Sequence, residues 1–410
     1  MDNCVIPQGY KATALGIIPQ EWEVMPLSKA FHLQSGYAFK SELFSADQGV
    51  PIVRISNLPI DNKYVDLSDC VYYPASENIK QQFIVHKKDL LIAMSGATTG
   101  KTAIYNYSYN AFLNQRVGVF KQTSDKVCYQ YLQAIVESQL FTTRLQPLLI
   151  AGAQPNISPS DIENMIFPFP PLAEQRKIAE VLGVWNEAIE KQARLIEKLA
   201  LRKRGLMQRL LSAKLRLPGF SEPWKTHKLQ ELFTERNETN RTDLPLLSIT
   251  GDRGVILQTE SEKRDTSNDD KSKYKRIAKG DIGYNTMRMW QGRSALSGLE
   301  GIVSPAYTIV VPNTDVDGYY MSVLFKQPRL IYDFWTHSQG LVGDTLNCKY
   351  RDFGQVHICC PPLAEQKAIT EVLTAADREI ELAKEKLEYL RRQKRGLMQQ
   401  LLTGKKRIKY

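Results

Sequence analysis

The sequence predicts a mixed α+β protein: two globular α/β domains separated by two long antiparallel coiled-coil helices and related by a pseudo-two-fold internal repeat. Three observations predict it. The phrase PPLAEQRKIAEVL (Pro170 to Leu182) returns as PPLAEQKAITEVL (Pro361 to Leu373), 191 residues later, with ten of thirteen letters unchanged. Both copies continue into an apolar period of three and four. At 410 residues the chain is also too long for one ordinary core and has room for two domains plus connecting structure.

The helices come first because they are the repeat. Without a gap, Pro170 to Leu211 and Pro361 to Leu402 share 22 of 42 residues, ending in KRGLMQRLL and KRGLMQQLL. Apolar positions fall at Ile178, Leu182, Trp185, Ile189, Ile196, Leu199, Leu206 and Leu210, and again at Ile369, Leu373, Ala376, Ile380, Leu387, Leu390, Leu397 and Leu401. That is a heptad seam, broken in the first copy by Gln192 and Lys203. Pro170 and Pro171 suit a helix start, and Gly404 after Thr403 suits a stop. A rod of about 40 residues is roughly 60 Å long and needs a partner for its stripe. The other copy, running antiparallel, is the nearest candidate.

The register extends upstream. GAQPNISPSDI (Gly152 to Ile162) matches GDTLNCKYRDF (Gly343 to Phe353) at Gly152/Gly343, Asn156/Asn347 and Asp161/Asp352. EWEVMPLSKAF (Glu21 to Phe31) echoes PWKTHKLQELF (Pro223 to Phe233) in its Trp, Leu and Phe. Each half therefore reads as a variable domain followed by a constant helix.

The charge follows the helices. The chain carries a formal +10, yet residues 1–169 hold 13 basic and 14 acidic side chains, and residues 217–360 hold 18 of each. The excess lies in residues 170–216, with 11 basic against 5 acidic, and in residues 361–410, with 12 against 7. Arg202, Lys203, Arg204, Arg209, Lys214 and Arg216 close the first helix; Arg391, Arg392, Lys394, Arg395, Lys405, Lys406, Arg407 and Lys409 close the second. A helix macrodipole explains one or two cations in a last turn, not six and eight. The surplus suits phosphate neutralisation beside two reading surfaces.

DLLIAMSGATTGKTAIY (Asp89 to Tyr105) invites a P-loop reading and fails it on count, because Gly96 stands three residues before Gly100 where the loop needs four. The second half aligns Asp281 with Asp89, Gly292 with Gly100 and Arg293 with Lys101. A repeated glycine followed by a cation reads as a turn of close backbone approach that presents Lys or Arg to DNA. Around these turns stand side chains able to meet base edges or phosphates: Ser95, Thr98, Thr99, Lys101, Asn114, Gln115 and Arg116, then Asn285, Arg288, Trp290, Gln291 and Arg293.

Catalytic signatures are missing. Pro-Pro occurs only at the helix starts, after Phe169 and Cys360, so the Asn/Asp-Pro-Pro-aromatic loop of amino-methyltransferases is absent. No Pro-Asp dipeptide opens a nuclease motif, and no nucleophile elbow or metal-binding histidine cluster is present. The six cysteines form no C-x-x-C pair and read as buried thiols in a reducing compartment. With no apolar run long enough to cross a bilayer and no signal-like start, the expected location is the cytoplasm.

The starts PPLAEQ, the ends KRGLMQRLLSAKLR and KRGLMQQLLTGKKR, and the turns SGATTGKTAI, LNQRVGVF and GIVSPAYTIVVP resemble the specificity subunit of type I restriction-modification systems, over nearly the whole chain. The resemblance implies target-recognition domains at residues 1–169 and 213–360, each reading one half of a split double-stranded DNA target. Residues 170–212 would be a spacer helix, and residues 361–410 a second helix with a basic tail. It implies docking of two methyltransferase and two ATP-driven restriction (translocase) subunits around a non-catalytic chain, within a complex that is a site-specific deoxyribonuclease and adenine DNA methyltransferase. S-adenosylmethionine, ATP and Mg would belong to those partners, with no cofactor in this chain. It also implies a chain that behaves as if circular, with TGKKRIKY and GIIPQEW together doing what SAKLRLPGFSEPW does in the middle. A coiled-coil adaptor without DNA contact would share the helices but leave the two divergent domains unexplained.

Overall fold

The computed structural model describes residues 6–59, 63–150, 156–251, 253–261, 269–340 and 346–408. Packing divides the chain into two units, one of Met1–Ala193 with Glu385–Tyr410, the other of Arg194–Lys384. Each long helix thus contributes one half to each unit.

Unit 1 holds a four-stranded antiparallel sheet in the order Phe31–Ser35, Val117–Gln122, Leu90–Ala93, Thr102–Ile104. Unit 2 holds one in the order Phe233–Arg236, Tyr307–Pro312, Ile282–Asn285, Ser294–Leu296. In both, the last strand in sequence lies between the first and the second. The repeat therefore reaches the sheet topology, where the letters themselves have diverged. Beyond this shared sheet the units differ. Unit 1 adds a second four-stranded sheet, Val71–Tyr73, Val50–Val53, Ala111–Leu113 and Ile84–Val85. Unit 2 has instead the antiparallel pairs Leu247–Ile249 with Val255–Leu257 and Lys275–Ile277 with Gly301–Val303.

Unit 1 contains α1 (Tyr129–Val136), α2 (Gln139–Ile150), α3 (Pro159–Glu163) and the first half of α4 (Leu172–Leu210), whose second half belongs to unit 2. Unit 2 contributes α5 (Leu229–Leu232), α6 (Gly318–Leu324), α7 (Pro328–His337), α8 (Tyr350–Gln355) and the first half of α9 (Leu363–Leu402). The echo around Trp22 and Trp224 becomes a matched pair of ladders, Glu23–Pro26 on Ile166–Phe169 and Lys225–Lys228 on His357–Cys360. Each ladder ends where a long helix begins.

The heptad seam is where the helices meet. In unit 1, Ile178 and Leu182 of α4 share a core with Met398, Leu401 and Leu402 of α9. In unit 2, Leu206 and Leu210 of α4 pack with Ile369 and Leu373 of α9. The start of one helix meets the end of the other both times, so the pairing is antiparallel, and each fully buried leucine or isoleucine is worth about 1.5–3 kcal/mol. The two breaks in the seam are accommodated rather than expelled. Gln192 is buried, and Lys203 stays at the seam by ion-pairing with Asp377 of α9.

The repeated start PPLAEQ has a physical meaning in its last two letters. Glu174 and Glu365 are nearly inaccessible to solvent, at 0% and 1% exposure. The Glu174 carboxylate accepts Trp22 Nε1 at 3.0 Å and both prongs of Arg407 at 2.7 and 2.9 Å. Glu365 accepts Trp224 Nε1 at 3.2 Å and both prongs of Arg216 at 2.6 and 2.8 Å. The neighbouring Gln175 donates to the Pro170 carbonyl at 2.8 Å and accepts the backbone N–H of Cys128, just before α1, at 2.8 Å. Gln366 repeats this with the Pro361 carbonyl at 2.9 Å and the Asp317 N–H, just before α6, at 2.9 Å. One residue thus holds a Trp–Arg pair, and the next fastens the domain to the helix.

The helix ends are equally matched. The Leu215 N–H donates to the Arg209 carbonyl at 3.0 Å, and the Lys406 N–H to the Gln400 carbonyl at 3.1 Å. Both turns need a left-handed residue, supplied by Ala213 (φ 57°) in the middle of the chain and by Gly404 (φ 70°) in the tail.

Among the described cysteines only Cys348 and Cys360 are buried, Cys70 and Cys128 are intermediate, and Cys359 is exposed. The expectation of uniformly buried thiols is corrected by Cys359, which lies on an edge strand and alternates outward from Cys360. Cys4, Gly152, Gly343 and Lys409 lie outside the described residues. Among the described residues no helix is long and apolar enough to cross a membrane.

Candidate nucleic-acid interface

Both candidate turns grow from the second strand of the shared sheet. Asp89 and Asp281 anchor the strand starts. Asp89 pairs with Lys121 at 2.8 Å, and Asp281 takes Arg236 in a two-pronged pair at 2.7 and 3.2 Å. The segment after Gly100-Lys101 is the strand Thr102–Ile104, not a helix, so no helix N-terminus faces a phosphate there.

Close approach is what the glycines provide. Gly100 has φ 83°, and a Cβ there would lie 2.2 Å from Leu145 Cδ2 on α2. Gly292 has φ 71°, and its Cβ would lie 2.9 Å from Ile331 Cδ1 on α7. Each turn is therefore pressed against the helix that follows α1 or α6, and the next residue is Lys101 or Arg293.

A second loop joins each turn. The Met94 N–H donates to the Arg116 carbonyl at 2.9 Å, which sets Asn114–Gln115–Arg116 beside Ser95–Lys101. In unit 2 the Asn285 N–H donates to the Arg293 carbonyl at 3.0 Å, which folds Asn285 to Arg293 into one compact turn. The sequence motifs that matched further on close these sites from below. The Ile157 N–H reaches the Met94 carbonyl at 2.9 Å, and the Cys348 N–H reaches the Thr286 carbonyl at 2.8 Å.

The candidates sort into shapers and presenters. Asn114 and Asn285 accept the backbone N–H groups of Arg116 and Met287 at 3.4 and 3.0 Å. Thr98 donates to the Ile55 carbonyl at 3.4 Å, and Thr99 to the Gly96 carbonyl at 2.6 Å. Trp290 uses its only N–H on the Met287 carbonyl at 3.0 Å. Ser95 is buried. Gln115, Arg116, Arg288, Gln291 and Arg293 are exposed, and Lys101 is half-buried at the rim.

The basic helix ends divide in the same way. Arg202 pairs with Glu379, Lys203 with Asp377, Lys394 with Glu137 at 2.8 Å, and Arg391 with Glu388 at 2.7 Å. Arg216 and Arg407 are the partners of the buried glutamates described above. Arg204, Arg209, Arg395, Lys405 and Lys406 are exposed, with no carboxylate in ion-pair distance among the described residues. The sequence surplus is thus partly spoken for, at Arg202, Lys203 and Lys394 by acids that only the fold brings near.

In unit 1 the turn and a helix end meet. A cleft of about 790 Å³ is lined by Thr99, Gly100 and Lys101 from the turn and by Arg391, Lys394 and Arg395 from α9, with Lys63 at the same wall. Lys63 carries no sequence signal that would single it out. Its neighbour Tyr64 donates its hydroxyl to Glu190 of α4 at 2.5 Å.

Known proteins resemble the chain in sequence and in fold. Residues 19–200 match the family described as Type I restriction modification DNA specificity domain. The chain is 26% identical to a Methanocaldococcus jannaschii protein named, by inference, the type I restriction enzyme MjaX specificity subunit, over 98% of this chain and 97% of that one. It is 30% identical to the MjaVIII specificity subunit of the same organism, over 52% of this chain and 51% of the other. Among solved structures, one from a study of assembly and conformational transition of the type I R-M system overlays with a TM-score of 0.59 at 16% identity, covering 94% of this chain and 99% of that chain. The S subunit from M. genitalium gives a TM-score of 0.53 at 15% identity, covering 93% and 96%. Over nearly its whole length the chain is similar to a type I restriction enzyme specificity subunit and shares the fold of such subunits, and its residues 19–200 match that family's DNA specificity domain.

Proposed function

We propose that the chain reads a split double-stranded DNA target, one half with each unit, and holds the modifying and cleaving subunits of a type I system without catalysing either reaction itself. One observation carries this reading. The same backbone device, a left-handed glycine pressed on a helix and followed by Lys101 or Arg293, recurs in two units whose exposed neighbours differ. A common frame with different side chains suits two half-sites of different sequence. Gln115 and Arg116, and Arg288, Gln291 and Arg293, are the base-edge candidates, since Arg and Gln make two-pronged contacts to guanine and adenine. Lys101, Arg395, Lys63, Arg204, Arg209, Lys405 and Lys406 are the phosphate candidates.

The partners proposed are two methyltransferase and two restriction subunits, whose cofactors would be S-adenosylmethionine, ATP and Mg. Exposed apolar residues on the long helices, Val184, Leu201, Leu382 and Tyr389, support protein docking there. So do Gly205 and Gly396, at the same place in both repeats, where a Cβ would meet nothing within 4 Å of this chain. A mid-helix glycine costs about 1 kcal/mol against alanine, and nothing in the chain itself requires it.

The test is exchange of residues 22–152 for the corresponding segment of a relative, in cells carrying the complete system. Mapping methylated adenines should show one half-site changed and the other kept. A change in both halves, or in neither, overturns independent reading. A gel shift with and without ATP separates this reading from a DNA-free adaptor, which would show no shifted band in either lane.

A further inference from the structure

The seats where the two domains rest on the helices are related by the repeat, and their charges are not. The Gln175 and Gln366 contacts fix the equivalence, because they hold the N–H groups of Cys128 and Asp317 in the same way. Nine residues on from each lies Glu137 in unit 1 and Lys326 in unit 2. Each faces the lysine of the repeated phrase KRGLMQ, which is Lys394 in unit 1 and Lys203 in unit 2.

In unit 1 the pair is of opposite sign. Glu137 takes Lys394 at 2.8 Å and Lys63 at 3.7 Å, with side-chain exposures of only 20%, 14% and 28%. In unit 2 it is of like sign. Burial of the group and then the nearby Lys203 charge pull the Lys326 ammonium below the ordinary lysine value, although the residue as a whole is exposed. Lys203 is held instead by Asp377 of α9, whose other oxygen accepts the Tyr319 hydroxyl at 2.6 Å. The repeat places Asn186 where Asp377 stands. Asn186 lines a small cavity of unit 1 together with Glu137, Gln130 and Lys394, and Gln130 is the counterpart of Tyr319.

We propose that this position is a charge key that fits each domain to its helix seat. The first domain brings its own acid, Glu137, which takes the helix lysine and the domain's own Lys63 and needs no acid from the seat. The second domain brings a cation, Lys326, and needs the seat to supply the acid, Asp377. Domain 1 is therefore compatible with either seat, whereas domain 2 on the first seat would set Lys326 against Lys394 with Asn186 unable to neutralise either. Asp377 is a positioning residue, and Glu137 holds the same place in unit 1 although it also lines the cleft beside the Thr99–Lys101 turn, so both are read by stability and not by DNA binding. The consequence for target layout, that the second recognition domain is restricted to the second position, rests on the DNA-reading role proposed above. The key itself does not.

The test reads unfolding of the full chain, so it is independent of DNA binding. Glu137→Lys imitates a second-type domain on the first seat and should lower the unfolding midpoint of unit 1 by about 3–6 °C, on the scale expected for a domain of this size. Adding Asn186→Asp should return at least half of that shift. A double variant no more stable than Glu137→Lys alone overturns the proposal. Should Glu137→Lys not fold, the reverse cycle decides. Asp377→Asn should lower the midpoint of unit 2, and Lys326→Glu, which recreates the unit 1 arrangement against Lys203, should restore it. A further loss on adding Lys326→Glu overturns the key equally.

Discussion

Replacing Arg407 by alanine removes the only cation that meets the Glu174 carboxylate among the described residues, and it leaves that carboxylate fully enclosed with one remaining donor, Trp22. Breaking a buried ion pair from one side costs about 3–5 kcal/mol. Arg407 itself is one-third exposed, so the lower end applies, about 3 kcal/mol. Its second contact, to Glu21 at 2.9 Å, involves a carboxylate 63% exposed and adds little. At about 2–4 °C per kcal/mol for a unit of roughly 200 residues, the midpoint of unit 1 should fall by roughly 6–12 °C while that of unit 2 stays put. Scanning calorimetry would resolve the two. Glu174→Gln should cost less, because the amide oxygen still accepts from Trp22 and no bare charge is left. Combining the two substitutions should cost less than their sum. Strict additivity, or an Arg407→Ala midpoint within a degree of the parent, would refute the claim that the tail closes unit 1 through this pair.

Four further outcomes follow from the same geometry. Ala213→Gly should raise the stability of unit 2 by about 1 kcal/mol in chemical denaturation, because the left-handed site penalises a Cβ that Gly404 avoids at the matching position. Gly100→Ala should abolish reading of the first half-site, and Gly292→Ala that of the second, each leaving the other half-site in a methylation map, since the new Cβ meets Leu145 or Ile331. Gly205→Ala with Gly396→Ala should stabilise the isolated chain by about 1 kcal/mol each and weaken co-purification of the methyltransferase subunit. Burial pushes the thiols of Cys348 and Cys360 up to about 12 and about 11 from 9.0, so the thiol form is the one the fold favours. Their contribution to stability is complete below pH 9 and is lost as pH rises through those values. At pH 8 a thiol reagent should label exposed Cys359 at once and reach Cys348 and Cys360 only on unfolding.

The frame was legible in the letters because it is periodic and repeated. The seam, the antiparallel pairing and the helix limits near Leu172 and Leu402 follow from apolar spacing and proline or glycine punctuation. The Trp, Leu and Phe echo marked the ladder before each helix. The partners of the charged residues were not legible. Arg202, Lys203 and Lys394 read as surplus cations because Glu379, Asp377 and Glu137 lie far away in sequence. Nor could composition separate Thr98 and Thr99, whose hydroxyls turn inward to carbonyls, from Gln115 and Arg116, which face solvent. That sorting depends on backbone geometry within a single turn, which no local pattern encodes.

The contact between Arg407 and Glu174 spans 233 residues, and it sets an order of events during synthesis. Unit 2 is one continuous stretch, Arg194–Lys384, and can pack as soon as it leaves the ribosome. Unit 1 is made first and finished last. Until Met398, Leu401 and Leu402 emerge, Ile178 and Leu182 have no opposite helix, and until Arg407 emerges the Glu174 carboxylate has no cation. A chain interrupted between Lys384 and Arg407 therefore carries a completed second unit and an unfinished first one, with an uncovered apolar stripe that chaperones and proteases recognise. Residues 398–407 thereby decide whether unit 1 is complete.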